Sequence, residues 1–299
     1  MLPSSSGPAG LSRRTLGLAG LAVAAGTTQA SAARAPGESL GLASVPNLRE
    51  FGGYVAKDGT VFRHGLLFRA NQLNPVAPAD MARLTELGLR VSFDLRTAKE
   101  REAAPDMLAP GMRGEWLDVM AGADSGDSAQ MEVLVANMGG GSAGMSPARI
   151  QALYVDTYRD FVRLDSARTA FRTLYTALAQ AENRPAVFHC TTGKDRTGWA
   201  AAALLSLLGM PLETVYQDYL RSNDYILPFF AGRIAQFTAA GGDAALPRAM
   251  LEVRSEYLAA SFAEVTQRYG SIERYFSRGL GINAAGQAAL RQAFLEQSR

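Results

Sequence analysis

Ten consecutive residues, His189-Cys190-Thr191-Thr192-Gly193-Lys194-Asp195-Arg196-Thr197-Gly198, constrain this chain more than any other stretch. Apolar Pro185-Ala186-Val187-Phe188 leads into them and reads as a short buried strand. Thr197 to Leu208, rich in Ala and Leu and closed by Gly209 and Pro211, reads as a helix. That helix is apolar all round, so it belongs in the centre of the fold. A buried strand therefore hands the chain to a short loop, Cys190 to Asp195, and the loop hands it to a buried helix. Inward backbone N–H groups at such a helix start form a cradle for an anion. Gly193 lets the loop turn where a side chain would intrude. Arg196 can fork two parallel hydrogen bonds onto two anionic oxygens, as Lys cannot.

Cys190 opens the loop, which aims its sulfur at the centre of the cradle. The N–H dipoles, the helix start and Arg196 all favour its thiolate, and a thiolate is a nucleophile without a separate base. Thr191, Thr192, Gly193, Lys194, Asp195 and Arg196 are the expected phosphate-binding residues. A phosphoryl group on sulfur implies a leaving oxygen that needs a proton. Asp195 is the first candidate for that acid. Asp94, at the end of a neighbouring expected strand, is the second. Thr197 can donate its hydroxyl to the sulfur, and His189 can orient the loop backbone and support the thiolate. A lone cysteine is most often a small buried hydrophobe, and Cys-x5-Arg recurs by chance. Here the strand, the inner Gly, the Arg-Thr-Gly and the buried helix agree, and the agreement outweighs the bland reading. A nucleotide P-loop needs Ser or Thr after Gly-Lys, and Asp195 stands there. Thiol redox chemistry usually needs a resolving cysteine, and the chain has one cysteine in all.

Composition narrows the rest. The chain has 299 residues, 47% hydrophobic and 19% charged, the profile of a globular protein with a substantial core. One cysteine and two histidines leave no Cys-rich zinc site and make a His-based metal site a poor expectation, so neither metal nor cofactor is expected. Arg13-Arg14 precedes an Ala/Gly/Leu stretch too short to span a bilayer, and Ala30-Ser31-Ala32 supplies a cleavage pattern. Residues 1–32 thus read as a twin-arginine-like signal peptide, with export to the periplasm or beyond as the expectation. Without them basic and acidic residues balance at 28 each, which gives no reason to expect a nucleic-acid partner.

Residues 33–45 read as a linker and 46–299 as one α/β domain. Strands are expected at Leu66–Arg69, Arg90–Leu95 and Glu115–Val119. Helices are expected from Pro78 to Leu87, after the capping box Thr97/Glu100, from Pro147 past Phe161, and from Ser166 to Ala181. Gly-rich residues 121–147 read as a surface loop. Four helical stretches follow the central helix: Leu212–Ser222, Ile226–Ala240, Leu246–Tyr269 and Asn283–Gln297. Arg49, Arg63 and Arg69 are read equally as structural ion-pair residues or as ligands, and Arg96 as a local partner of Glu100.

The run His189 to Gly198 resembles the signature loop of the protein tyrosine phosphatase superfamily. Its Gly-Lys-Asp-Arg-Thr-Gly form is similar to that of a bacterial tyrosine and phosphoinositide phosphatase family. Asn47-Leu48-Arg49-Glu50-Phe51-Gly52-Gly53 resembles that family's opening motif, with Glu50 where Asp is usual. Arg63 to Arg69, Asp94-Leu95-Arg96, Asp218 to Asn223 and Tyr269 to Ile272 match as well, so the likeness spans roughly residues 45–282. The resemblance implies a tyrosine-phosphatase-like α/β fold, a central sheet flanked by helices. It implies a helical C-terminal half; Phe229, Phe230, Tyr257 and Phe262 lie at spacings that suit helix packing, and an apolar lid over the site is the alternative that the resemblance implies. It implies a metal-independent phosphate monoester hydrolase working through a cysteinyl-phosphate, with Cys190, Asp195 and Arg196 catalytic. Phosphotyrosine in proteins is the leading expected substrate. Phosphoinositides are the alternative, because Lys194 resembles a loop lysine linked to inositol phosphates; a phosphate-binding module without turnover is the remaining rival.

Overall fold

A computed structural model describes residues 34–121, 123 and 145–298. The signal-peptide reading of 1–32 and most of the expected loop 121–147 lie outside the described residues. In chain order the strands are β1 (Arg49–Glu50), β2 (Thr60–Phe62), β3 (Leu67–Ala70), β4 (Val91–Asp94), β5 (Arg113–Trp116), β6 (Ala186–His189) and β7 (Leu295–Gln297). The helices that position the site are α1 (Pro78–Glu86), α2 (Ala98–Ala103), α3 (Pro147–Arg163), α4 (Asp165–Ala179), α5 (Arg196–Leu207), α6 (Leu212–Leu220), α7 (Ser222–Ala239), α8 (Ala245–Leu251), α9 (Ser255–Tyr269) and α10 (Ala284–Phe294).

Five strands form one sheet in the order β1-β3-β6-β4-β5. β1 runs antiparallel to β3, and β3, β6, β4 and β5 are mutually parallel. Ala70, His189, Asp94 and Trp116 stand in one register row at the carboxyl ends of these four strands. β6 thus enters between two strands that precede it in sequence, and open parallel sheets bind ligands beyond the carboxyl ends at such a place. β3, β4 and β6 are buried at every position, which explains why they read as continuous apolar runs rather than alternating ones.

The expected central helix is α5. Ten of its twelve residues are buried, and Trp199 packs against Phe262 and Tyr275. α3 opens as expected, with the Ser146 hydroxyl accepting from the Arg149 N–H and Pro147 in the first turn. Its buried face runs through Ile150, Leu153, Tyr154, Thr157 and Phe161.

Four expectations need correction. Residues 35–45 are no free linker: Leu42 and Val45 are buried in the cluster that also holds Phe68 and Val187, and Ser39 bridges to Arg49. The strand expected at 115–119 lies at 113–116, an exposed sheet edge, and the chain has left the sheet by Asp118. The expected helix 246–269 breaks into α8 and α9. There the Asn223 side chain bonds both the N–H (2.7 Å) and the C=O (2.9 Å) of Val253, substituting for helical backbone partners. The last expected helix stops at Phe294, because residues 295–297 pair antiparallel with β2 instead. Of the four aromatics of the expected lid, Tyr257 and Phe262 pack inward, on Tyr154 and Trp199. Phe229, half exposed, and Phe230 meet edge to face on α7 beside a groove of about 670 Å³ lined by Leu227, Pro228, Ala231, Ile234 and Arg248.

Candidate active site

The loop after β6 is held open from outside. The Thr191 carbonyl accepts from the Gln72 N–H (3.1 Å), the Thr192 carbonyl from Asn47 Nδ2 (2.9 Å), and the Gly193 carbonyl from Arg69 Nη2 (2.8 Å). Three consecutive carbonyls are thus held by neighbouring segments of the chain. Among the described residues none of the backbone N–H groups of Thr191 to Asp195 donates a hydrogen bond. The loop meets α5 at Asp195, and the Asp195 carbonyl accepts the Trp199 N–H as the helix begins. Cys190 opens the loop, almost fully buried.

Gly193 has φ +69°, and a Cβ there would meet the Ala70 carbonyl oxygen at 2.2 Å. The obstacle is backbone, so nothing can swing aside. The glycine is required for both conformation and clearance.

Arg49, Arg69 and Asp218 form the buried support beneath the loop. Arg69 reaches Asp218 Oδ2 at 2.5 Å, Arg49 reaches Oδ1 at 3.4 Å, and the Tyr54 hydroxyl donates to Oδ1 at 3.0 Å. Burial works to raise the Asp218 carboxyl. The charges of Arg69 and Arg49 outweigh it, and the carboxyl lies below its usual range. Burial, with the charge of Arg69, lowers the Arg49 guanidinium to about 10. The ion-pair reading of both arginines therefore fits, and Arg69 carries the pair's rigidity to Gly193.

Arg196 does not point at an empty cradle. It forks onto Glu100, Nη1 to Oε2 at 2.6 Å and Nη2 to Oε1 at 2.7 Å. Glu100 also completes the capping box of α2, taking the Thr97 N–H at 2.9 Å, and accepts the Thr191 hydroxyl. Burial opposes ionisation of Glu100, but Arg196 overrides it and holds the carboxyl far below the usual range. Because Glu100 is committed here, Arg96 does not pair with it. Arg96 binds Asp94 (2.8 Å) and Asp106 (2.7 Å), and Asp106 meets the His189 Nε2 at 2.8 Å. Asp94, Asp106 and His189 bring potential metal-ligating atoms within 4.8 Å of one another, but the Arg96 guanidinium already occupies both carboxylates.

Asp94, the second acid candidate, is tied into this ion-pair network. Burial raises its carboxyl, but bonds from Arg96 and the charges of His189 and Arg96 lower it on balance, and Arg101 adds a contact at 3.1 Å. Asp195 sits at the loop's end with Oδ1 accepting from Tyr158 (2.9 Å) and Lys194 (3.0 Å), and Oδ2 lies 2.9 Å from the Lys194 ammonium. Tyr219 donates onward to Tyr158 at 2.7 Å. Lys194 departs from expectation: it is buried, bonded to Asp195 and Tyr154, and adds no free charge to a pocket floor. Among the described residues the buried Thr197 hydroxyl has no hydrogen-bond partner, so the expected bond to sulfur is not formed there. His189 is buried at the end of β6, its Nδ1 3.5 Å from the Cys190 carbonyl.

This geometry can be set beside known proteins. The model of the tyrosine phosphatase family matches residues 40–296. The chain belongs to that family. It is 33% identical over 265 residues to the triple specificity protein phosphatase PtpB of Mycobacterium tuberculosis, covering 81% of this chain and 95% of that protein. It is 32% identical over 249 residues to a Cupriavidus necator protein that bears a tyrosine-protein phosphatase name, covering 82% and 85%. A tyrosine-protein phosphatase of Nostoc commune is 29% identical over 159 residues, 53% of this chain and 48% of that one. The chain is thus a tyrosine-phosphatase-type enzyme on the α/β fold its sequence implied.

For such an enzyme the Gly193 clearance has a direct consequence. Gly193→Ala is expected to lower stability by about 1 kcal/mol or more and to cut kcat/KM on p-nitrophenyl phosphate, because the loop must shift off Ala70. Thermal unfolding and steady-state kinetics check this; a parent-like variant contradicts it.

Sequence reasoning found the loop but missed Glu100 as the partner of Arg196, and it missed Asp106, Asp218 and Tyr158. A signal existed for Asp218. On the expected helix 212–222 it falls on one face with Val215, Tyr219 and Ser222, and a carboxylate on a core face demands buried cations.

Proposed function

We propose that the chain hydrolyses phosphate monoesters through a phosphoryl group carried on Cys190, with phosphotyrosine in proteins as its leading substrate. One observation carries the reading: a loop with its carbonyls tied outward surrounds a buried cysteine at the start of a buried helix, with Arg196 alongside. The N–H groups of that loop and Arg196 suit the charge spread over the three equatorial oxygens of a transferring phosphoryl group. In the first half-reaction the thiolate attacks phosphorus and the ester oxygen leaves with the bond electrons. In the second, water attacks phosphorus and the S–P pair returns to sulfur.

Phosphoinositides are the second reading. The relative named a triple specificity protein phosphatase supports a range wider than one phosphoamino acid. Lys194 gives the lipid reading less support than its sequence position implied, since its ammonium is committed to Asp195.

The test is turnover of a 32P-phosphotyrosyl peptide, of p-nitrophenyl phosphate and of phosphoinositide vesicles, all with EDTA. Acid quench during peptide turnover is expected to leave label on the peptide fragment containing Cys190. Product formation with no label at Cys190 overturns the phosphocysteine. Faster specific turnover of the vesicles than of the peptide overturns the substrate order.

A further inference from the structure

A helix that is apolar on every side is normally buried, in a protein core or in lipid. The second half of α7 breaks that rule. From Leu227 to Ala240 only Arg233, Gln236 and Thr238 are polar, yet no residue of the stretch is buried. Phe229 is half exposed and meets Phe230 edge to face, and Ile234 and Phe237 are partly exposed. On one flank Leu227, Pro228, Ala231 and Ile234 line the groove shared with Arg248 of α8. Proteins in water rarely leave so much contiguous apolar surface uncovered, and where they do it marks a contact with a protein or a membrane.

Shape and charge favour lipid over a protein face. With about 3.6 residues per turn, Phe230, Ile234 and Phe237 share one side of α7. Phe229 stands roughly a quarter-turn from Phe237, and the small Pro228, Gly232, Ala235 and Ala239 lie opposite. A rigid partner covers one stripe of such a helix. The boundary between headgroups and acyl chains is fluid and closes around a helix lying in it. Arg233 is the one charged residue between Tyr225 and Gly242. Its guanidinium lies 5.5 Å from the Phe230 ring, so the stem follows apolar surface while the charged head stays outside, as at a lipid interface. Exposed Arg248 adds a second cation beside the groove, with Glu252 at 3.9 Å. The groove also holds Asp224, on the first turn of α7 and away from the aromatic half. A cation set among exposed aromatics suits anionic headgroups. Among the described residues no helix is long and apolar enough to cross a membrane, so α7 would lie on the bilayer rather than span it.

We propose that the second half of α7, through Phe229, Phe230 and Arg233, seats the enzyme on the surface of an anionic lipid bilayer. The test sediments the full chain with vesicles of phosphatidylcholine, alone or mixed with phosphatidylglycerol, beside Phe229→Asp and Arg233→Gln. Both positions are exposed, so thermal unfolding is expected to stay parent-like. The parent is expected to bind the mixed vesicles and to be released in part by salt. Phe229→Asp is expected to weaken that binding about 10-fold or more. Arg233→Gln is expected to weaken it about fivefold on the mixed vesicles, with little change on neutral ones. In Phe229→Trp the added emission, taken as the difference from the parent, is expected to shift to the blue when mixed vesicles are present. No binding by the parent, parent-like binding by Phe229→Asp, or an unshifted Phe229→Trp signal each overturns the lipid seat. A parent that ignores vesicles but self-associates in sedimentation velocity, and ceases to in Phe229→Asp, assigns the surface to a second copy of the chain and overturns it too. The readouts are of binding, so they stand whether or not label is found at Cys190.

Discussion

Cys190→Ser is expected to lose turnover of p-nitrophenyl phosphate by on the order of 10⁴-fold or more while unfolding like the parent. The substitution exchanges a sulfur nucleophile for a hydroxyl, which attacks poorly without a base to activate it. Everything else that shapes the cradle lies in other residues: the outward ties from Gln72, Asn47 and Arg69, the turn at Gly193 and the fork of Arg196 on Glu100. Serine is slightly smaller and the site is buried, so no clash arises. Binding of inorganic phosphate is therefore expected to persist, and isothermal titration beside EDTA-containing kinetics separates lost chemistry from a lost pocket. Parent-level turnover in the variant would falsify the nucleophile.

The second large effect is on stability. Asp218→Asn removes the one carboxylate between two guanidinium groups that are fully buried. Breaking a buried pair from one side costs about 3–5 kcal/mol, because the remaining charge has no water to turn to. The melting temperature is expected to fall by roughly 10 °C, at about 2–4 °C per kcal/mol for a chain of this size. The Asp218 carboxyl is depressed in the fold, so its stabilisation is present above the unfolded carboxylate value near 3.9 and is lost as pH falls through the depressed folded value. Urea midpoints of parent and variant are thus expected to differ fully at pH 7 and to converge on acidification; a gap independent of pH contradicts the assignment. Turnover falls too, since Arg69 without Asp218 loses its anchor while holding the Gly193 carbonyl.

The phosphate loop was legible because it is local. Strand, loop, glycine, arginine and helix follow one another without interruption, so Cys190, Gly193 and Arg196 could be read from order alone. The residues that charge and position them come from far along the chain. Glu100 showed its capping box through Thr97 three residues away, but its pairing with Arg196 spans 96 residues. Asp218 reaches Arg69 across 149. Lys194 was misread for the opposite reason: an adjacent Asp195 and the Tyr154 hydroxyl of another helix absorb a charge that sequence position alone assigns to the pocket. Helix ends failed where a tertiary partner competed, at Val253 with Asn223 and at Leu295 with Phe62.

The two tryptophans of the chain sit in unlike places. Trp199, one turn into α5 from the phosphate loop, is sealed among Phe262 and Tyr275. Trp116 is half exposed at the carboxyl end of β5, with its indole N–H on the Arg96 carbonyl and the Arg101 guanidinium 4.8 Å from its ring. Their emission is therefore separable with a soluble quencher, one indole reporting the core and the other the exposed sheet edge at the end of β5. The protein carries a native optical signal for events at that sheet edge, with no label attached.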